Sequence, residues 1–307
     1  MNKTKQNSCP ACNSTAFKDW RFNLLQCMSC GLIVNKNAFK PKLDKMLNEK
    51  AFDMDYEPIR SFWMNLFESW KNRRYLNNLR QAGVRDGRLL EVGVGSGSFL
   101  KAAQKAGFKV EGCDLSKSIC DRVNAKTGIT VYHSDLETLF TKDYDVICMH
   151  HVLEHVRDPI GFLHSAYKRL KPGGTLHVAV PNAACWEAYF LGWNSYEYYH
   201  LIYFTPKTLK KIMGKVGFFI EMEGTYEQFS IWFLTILRTL KKVNNIETSQ
   251  YNNRSHLKSN TFLIRKLIEH PYRIAMIVTG FITYPIRKLQ EKLGYGDELW
   301  IVAKKKV

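Results

Sequence analysis

Acidic residues are scarce in this chain, with 28 Asp and Glu against 45 Lys and Arg among 307 residues. The deficit is uneven. Residues 1–80 hold 14 basic against 7 acidic side chains, residues 81–226 hold 17 against 15, and residues 227–307 hold 14 against 6. A nearly neutral middle between two basic flanks points to an anionic partner such as a membrane surface, a nucleic acid or a phosphorylated compound. Long apolar runs are missing too. The longest, Ile274 to Ile286, falls short of the roughly 18–20 residues that a spanning helix needs, which excludes a transmembrane anchor. No apolar run follows Met1-Asn2-Lys3-Thr4-Lys5, so no signal peptide is expected. Without one, the eight cysteines read as thiols or metal ligands rather than disulfides. These absences predict a cytosolic protein, with peripheral contact at the inner face of an anionic membrane as an extension of the basic flanks. Internal repeats are lacking as well.

What is present suits a folded domain. Apolar residues make up 45% and aromatics 13%, enough for a core, and the length allows one large domain with small attachments. Four segments separate. Residues 1–42 hold two cysteine pairs. Residues 43–83 read as a helical linker or lid, with Ile59, Phe62, Trp63, Leu66, Phe67 and Trp70 at helical spacing expected to pack on the core. Residues 84–226 alternate strands (Arg88–Val92, Lys109–Cys113, Thr130–His133, Tyr144–Met149, Thr175–Val180) with helices starting near Ser98, Ser116, Pro159 and Pro206. That alternation predicts a mostly parallel α/β sheet covered on both faces. Residues 227–297 form a basic apolar helical insertion interrupted by a polar loop over Asn244–Asn260, and Leu299–Ala303 in 298–307 reads as a last strand.

The strongest local signal is Leu89-Leu90-Glu91-Val92-Gly93-Val94-Gly95-Ser96-Gly97, a strand ending in an acid and a glycine turn where backbone can approach a ligand. The spacing is Gly-x-Gly-x-Gly, not the Gly-x-Gly-x-x-Gly of dinucleotide enzymes. Asp114 ends the next strand, Ser134-Asp135-Leu136 follows the third, and Leu170-Lys171-Pro172-Gly173-Gly174-Thr175 precedes the fifth. This series resembles the class I S-adenosylmethionine-dependent methyltransferases over residues 84–226 and the final strand. The resemblance implies a Rossmann-like seven-stranded sheet whose last strand is antiparallel, formed here by Phe218–Met222 with Leu299–Ala303. It implies S-adenosylmethionine as cofactor. Glu91, Gly93, Gly95, Gly97, Asp114 (ribose), Leu115, Asp135 (adenine side), Leu136 and His150 would contact it.

After the fourth strand comes His150-His151-Val152-Leu153-Glu154-His155. Ligands of open α/β sheets sit beyond the strand ends, so these side chains should face the methyl acceptor, and a histidine there can serve as general base. The stretch is similar to the ubiquinone-biosynthesis O-methyltransferases, some of which bind a divalent metal through an acid, two residues, and Glu-His. Glu154 and His155 match and are candidate ligands for a divalent ion, but His151 stands where the first acid would be, which puts that ion in doubt. His151 and His155 are the candidate bases, with His200 as a third. The aromatics Trp186, Tyr189, Trp193, Tyr196, Tyr198 and Tyr199 could line an acceptor pocket or simply pack.

Cys9-x2-Cys12 and Cys27-x2-Cys30, separated by fourteen residues and followed by Gly31, give four thiolates for one structural zinc. A zinc ribbon before such a core resembles bacterial enzymes of sugar and surface-polysaccharide methylation. Ribosomal RNA methyltransferases with N-terminal zinc use a histidine that this module lacks. The expected function is methyl transfer to oxygen of a small molecule: a sugar, a nucleotide- or lipid-linked saccharide, or a quinone-like ring. RNA methylation is the rival, although no Asn-Pro-Pro-aromatic motif is present; a non-catalytic binding protein on the same fold is another.

Overall fold

The computed structural model describes residues 8–40, 62–229, 231–242 and 275–306. Its centre is a seven-stranded sheet: β4 (Gly87–Val92), β5 (Phe108–Asp114), β6 (Val131–His133), β7 (Tyr144–His150), β8 (Leu170–Pro181), β10 (Phe218–Tyr226) and β11 (Glu298–Lys305). The spatial order is β10-β11-β8-β7-β4-β5-β6. The pairs among β4, β5, β6, β7 and β8 are parallel, whereas β11 runs antiparallel between β8 and β10. This is the expected α/β sheet with its reversed last strand. The final hairpin is longer than Phe218–Met222 with Leu299–Ala303, since pairing extends to Tyr226 and Glu298. β8 also differs. Leu170 already pairs with Tyr144, the register then shifts, and Thr175 resumes opposite Val146.

Helices cover both faces, and their starts carry the capping chemistry that local sequence dictates. Ser116 accepts the Ile119 N–H before Lys117–Thr127, and Asp158 accepts the Gly161 N–H before Pro159–Arg169. Thr205 and Thr208 cap each other's backbone before Pro206–Val216, which Gly217 ends at φ 104°. Each cap satisfies N–H groups that a helix end leaves without partners.

The helix Phe62–Gln81, α1, departs from expectation. Leu66, Phe67 and Trp70 lie outward and exposed, while Asn72, Tyr75, Leu76, Asn78 and Leu79 are buried against the sheet. The apolar stripe is therefore not the packed face. Tyr75, Leu76 and Leu79 join Leu89, Phe99 and Val302 in one core, and polar Asn72 and Asn78 are spent on hydrogen bonds to Ser98 and His177. Ile59 and the side chains of Phe62 and Trp63 lie outside the described residues, as do the loop Asn244–Asn260 and much of the following apolar stretch. The described parts of the insertion are helices at Ile231–Leu240, 275–282 and Tyr284–Lys292.

The cysteine module is joined to the core through a second sheet. Its strands β1 (Phe17–Trp20), β2 (Leu24–Cys27) and β3 (Ile33–Val34) form a meander, and β3 pairs antiparallel with β9 (Ile202–Tyr203). Among the described residues no helix is long and apolar enough to cross a membrane.

Ile301 is fully buried in β11, between β8 and β10. Replacing it by alanine leaves a cavity in the middle of the sheet, so Ile301→Ala should lower unfolding free energy by about 2–5 kcal/mol in urea titrations. A loss within error would mean that β11 is peripheral to stability.

Candidate active site

The sheet's carboxyl edge opens into a cavity of about 790 Å³. Its walls come from the glycine turn, the ends of β5, β6 and β7, and one face of α1. Glu91, Gly93, Gly95, Asp114, Leu115, Asp135, Leu136 and His150 all line it, together with His151 and His155. Gly97 does not. It adopts φ 73° as the residue before Ser98–Lys105, and a Cβ there would meet Val123 at 2.7 Å, so close packing of the two helices by itself calls for glycine. Leu136 is fully buried, so its side chain serves the core.

The cavity suits S-adenosylmethionine by its own chemistry. Gly93 (φ 72°) has no room for a Cβ, which would lie 2.6 Å from Val152, while Gly95 (φ 48°) faces open space. Asp114 accepts the Ser116 N–H at 2.9 Å. Burial holds its carboxyl above the usual range, opposed by backbone N–H groups of Ser116, Gly95, Val94 and Leu115. Glu91 is raised well above the usual range, first by burial and then by the Asp114 charge. Its Oε2 has no partner, nor does His150 Nδ1, 3.9 Å from Glu91 Oε1. Two buried acids and an orphaned donor facing one space match a ligand carrying an ammonium, a carboxylate and a ribose. Exposed Leu115 offers an apolar surface at the cavity wall. Asp135 turns one oxygen inward, accepting the Thr138 N–H at 2.7 Å and its hydroxyl at 2.8 Å.

The part of the cavity beyond β7 is organised around His151. It follows β7 with φ 56°, a left-handed conformation that costs a non-glycine residue about 1–3 kcal/mol. Its N–H donates to Ala179 O at 2.8 Å. Nδ1 lies 3.2 Å from Glu154 and Nε2 lies 2.8 Å from Glu298 and 2.8 Å from Lys71 Nζ. Glu298 Oε2 also accepts the Tyr75 hydroxyl at 2.9 Å and meets Lys71 Nζ at 3.0 Å. Burial and the Lys71 ammonium push the His151 imidazole down, but the two carboxylates prevail and raise it to about 9. Glu154 is pulled the other way: against burial, the His151 hydrogen bond holds it at about 2.

His155 and His200 are different. Each places Nδ1 on a backbone carbonyl, Tyr199 O at 3.0 Å and Ser195 O at 2.8 Å, and burial holds both below the usual histidine range. Ligand atoms of Glu154, His155 and His200 lie within 4.8 Å of one another. Glu154 and His155 thus cluster with His200, a residue outside the candidate ligand pair, while His151 is not part of that cluster. His200 itself does not line the cavity. The aromatics Trp193 and Tyr196 pack with Tyr203 in a separate core and do not line the cavity either.

Several site residues carry no sequence signal of the kind read above. Glu68, Lys71, Asn72 and Tyr75 recur at helical spacing on the inner face of α1 and line the cavity. Tyr75 stacks on His150 with ring centroids 3.9 Å apart. Glu298, at the start of β11, is reached only through the hairpin.

At the other end of the ribbon, Cys9 and Cys30 sulfurs are 3.5 Å apart, as are those of Cys12 and Cys27, and all four lie within 4.8 Å. A tetrahedral ion with Zn–S bonds of about 2.3 Å separates its sulfurs by roughly 3.8 Å, so this donor set fits structural zinc. Gly31 supplies φ 82° as its N–H turns back to Cys27 O.

The family described as a methyltransferase domain matches residues 62–222, more than half of the chain. The chain belongs to that family, and its fold and motifs make it a class I S-adenosylmethionine-dependent methyltransferase. Among curated proteins, the ubiquinone biosynthesis O-methyltransferase of Vibrio cholerae is 30% identical over 142 residues, 41% of this chain and 58% of that protein. The enzyme of the same description from Hydrogenovibrio crunogenus is 28% identical over 134 residues, 41% of this chain and 49% of that protein. The chain spans about half the length of the curated relatives it matches. A solved structure assigned as a sarcosine dimethylglycine methyltransferase from Galdieria sulphuraria superimposes with a TM-score of 0.53 at 14% identity, covering 79% of this chain and 88% of that one; it supports the fold alone.

Removing an ionised hydrogen-bond acceptor costs about 1.5–3 kcal/mol. Asp114→Ala should therefore weaken S-adenosylmethionine binding about tenfold or more in calorimetry, with Asp114→Asn intermediate and the circular dichroism spectrum unchanged; wild-type affinity in both would remove Asp114 from the ribose site. Cys9→Ser should lower zinc per chain in elemental analysis. Full zinc retention would show that these thiols hold none.

Proposed function

We propose that the protein transfers the methyl group of S-adenosylmethionine to the hydroxyl oxygen of a small hydroxylated ring, with His151 as general base. The carrying observation is His151 at the cavity wall between two buried carboxylates. When bound, the cofactor supplies an electrophilic methyl group on a sulfonium. Gly93, Gly95, Asp114, Leu115 and Asp135 would hold it, with Glu91 and His150 toward its amino-acid end. In the neutral imidazole Nδ1–H donates to Glu154, which leaves the Nε2 lone pair beside Glu298 and Lys71. That lone pair takes the hydroxyl proton, in place of its contact with Lys71, as the acceptor oxygen bonds the methyl carbon and the carbon–sulfur bond breaks. In-line placement of the acceptor contributes much of the rate.

The raised basicity narrows the acceptor. A stronger base has the larger driving force for proton transfer, and that force is spent best on a proton it can remove nearly downhill. A phenolic hydroxyl titrates near 10, close to His151 at about 9, whereas an ordinary sugar hydroxyl is far less acidic. A quinol-like or catechol-like ring therefore fits better than a saccharide. The curated relatives named above are O-methyltransferases, which supports oxygen as the accepting atom. Structural zinc in the cysteine module completes the reading.

The base form of His151 is the neutral imidazole, which accumulates as pH rises through about 9. Turnover should climb with pH toward that value. Glu298 favours the imidazolium, so Glu298→Gln should move the ascending limb to lower pH. His151→Ala should lower kcat by about 10²–10⁴-fold with cofactor affinity retained. A pH profile flat through this range, or full activity of His151→Ala on phenolic acceptors, would overturn the assignment. Loss of activity on chelation that leaves ribbon zinc in place would instead turn Glu154, His155 and His200 into a metal centre.

A further inference from the structure

The helices before β11 are inside out. In the run 275–292, the fully inward side chains are polar, Arg287 and Gln290. Arg287 is buried and donates to Gly280 O and to Thr283 Oγ1. Gln290, fully buried, donates to both oxygens of Glu187 and to Tyr295 O, and its own oxygen accepts the Trp232 indole N–H at 2.9 Å. The outward positions are apolar: Val278, Phe281, Ile282, Ile286, Leu289 and Leu293 are all exposed, Ile282 at 72%. Their spacing of three to four residues places them along one face. A water-facing helix shows the opposite pattern, and contiguous exposed apolar surface marks an interaction site.

The charge around this face specifies what it meets. Residues 231–242 and 275–295 contain six Lys and Arg and a single acid, Glu291. Glu291 is mostly buried and engaged by Arg74 and Lys288. Lys241 and Lys242 follow the helix Ile231–Leu240, whose Ile236 and Leu240 are also exposed, and Lys292 is exposed beside Leu293. The apolar surface continues toward the active site. Phe281 meets Phe229 edge-on at 5.5 Å, and Phe229 stacks on Phe67 at 5.8 Å, one residue before cavity-lining Glu68.

We propose that this face seats the protein on an anionic lipid bilayer, with the apolar side chains in the interface and the lysines against lipid headgroups. A helix lying in the interface needs both elements, apolar burial and cations at its border. The apolar strip then leads from the bilayer to the cavity mouth. An acceptor ring borne on a lipid tail could enter along it, a consequence that rests on the methyltransferase reading above.

The test is sedimentation of the full chain with vesicles, without acceptor, so that its outcome is independent of turnover. Binding is expected to vesicles of phosphatidylcholine with phosphatidylglycerol and to be much weaker to phosphatidylcholine alone. Ile282→Asp combined with Phe281→Asp should abolish it while thermal unfolding and S-adenosylmethionine binding stay unchanged. Lys241→Gln and Lys242→Gln should each lower vesicle affinity about fivefold, the loss expected for one headgroup-facing cation. No sedimentation of the wild type with anionic vesicles would overturn the proposal. So would a dimer in light scattering that the Ile282→Asp variant dissociates, because a second copy would then cover the face.

Discussion

One buried carboxylate holds one wall of the cavity together. Glu298 Oε2, at the start of β11, receives the Tyr75 hydroxyl and the Lys71 ammonium from α1 and the His151 imidazole from the end of β7. Burial alone would push the Glu298 carboxyl up, but Lys71 and His151 hold it well below the usual range. With Glu154 on the far side of His151, two anions and two cations balance in a low-dielectric pocket. Removing Glu298 leaves the Lys71 ammonium and the His151 imidazole without their shared acceptor and the Tyr75 hydroxyl without its partner. Replacing Glu298 therefore has structural as well as chemical consequences. That is why a glutamine, which keeps the shape and the acceptor oxygen, is more informative than an alanine.

The same economy of connection applies to the cysteine module. It reaches the active site through backbone. The N–H of Asn35 donates to Leu201 O, and the N–H of Leu201 donates to Glu154 O. Asn37 donates to Tyr198 O, and His155 Nδ1 meets Tyr199 O. The ribbon thus braces the segment that fixes Glu154, and Glu154 fixes His151. Four thiols are confined within 4.8 Å, and an ion bound there as they lose their protons would stiffen the path to the imidazole.

The parts legible in the sequence are those whose chemistry is local. The glycine turn, Asp114 at a strand end, the capping residues Ser116, Asp158 and Thr205, and the paired cysteines each announce themselves within a few residues, and each stands where its pattern requires. Misreadings arise where a long-range partner decides. Leu66, Phe67 and Trp70 carry an amphipathic pattern, yet Asn72 and Asn78 take the inner face because Ser98 and His177 provide partners there. Glu298 follows a turn of ordinary polar appearance and becomes central only because β11 inserts between β8 and β10, bringing its first residue opposite Pro181.

That insertion also ties the outer helices to the chemistry. The helix Tyr284–Lys292 passes through Gly294-Tyr295-Gly296-Asp297 directly into Glu298. Asn182, at the end of β8, binds Gly294 O and Gly296 O through its amide and Asp297 O through its N–H. A side chain at Gly296 would strike Tyr226 O at 2.7 Å, so the turn can neither thicken nor shift easily. Glu227 Oε2 accepts the Asp297 N–H, and Asp297 Oδ1 accepts the Gln228 N–H. The outward apolar face and the carboxylate that tunes His151 are thus the two ends of one braced segment. Backbone and side-chain hydrogen bonds at Gly294, Gly296 and Asp297 fix where the helix ends relative to Glu298, and Glu298 in turn meets His151.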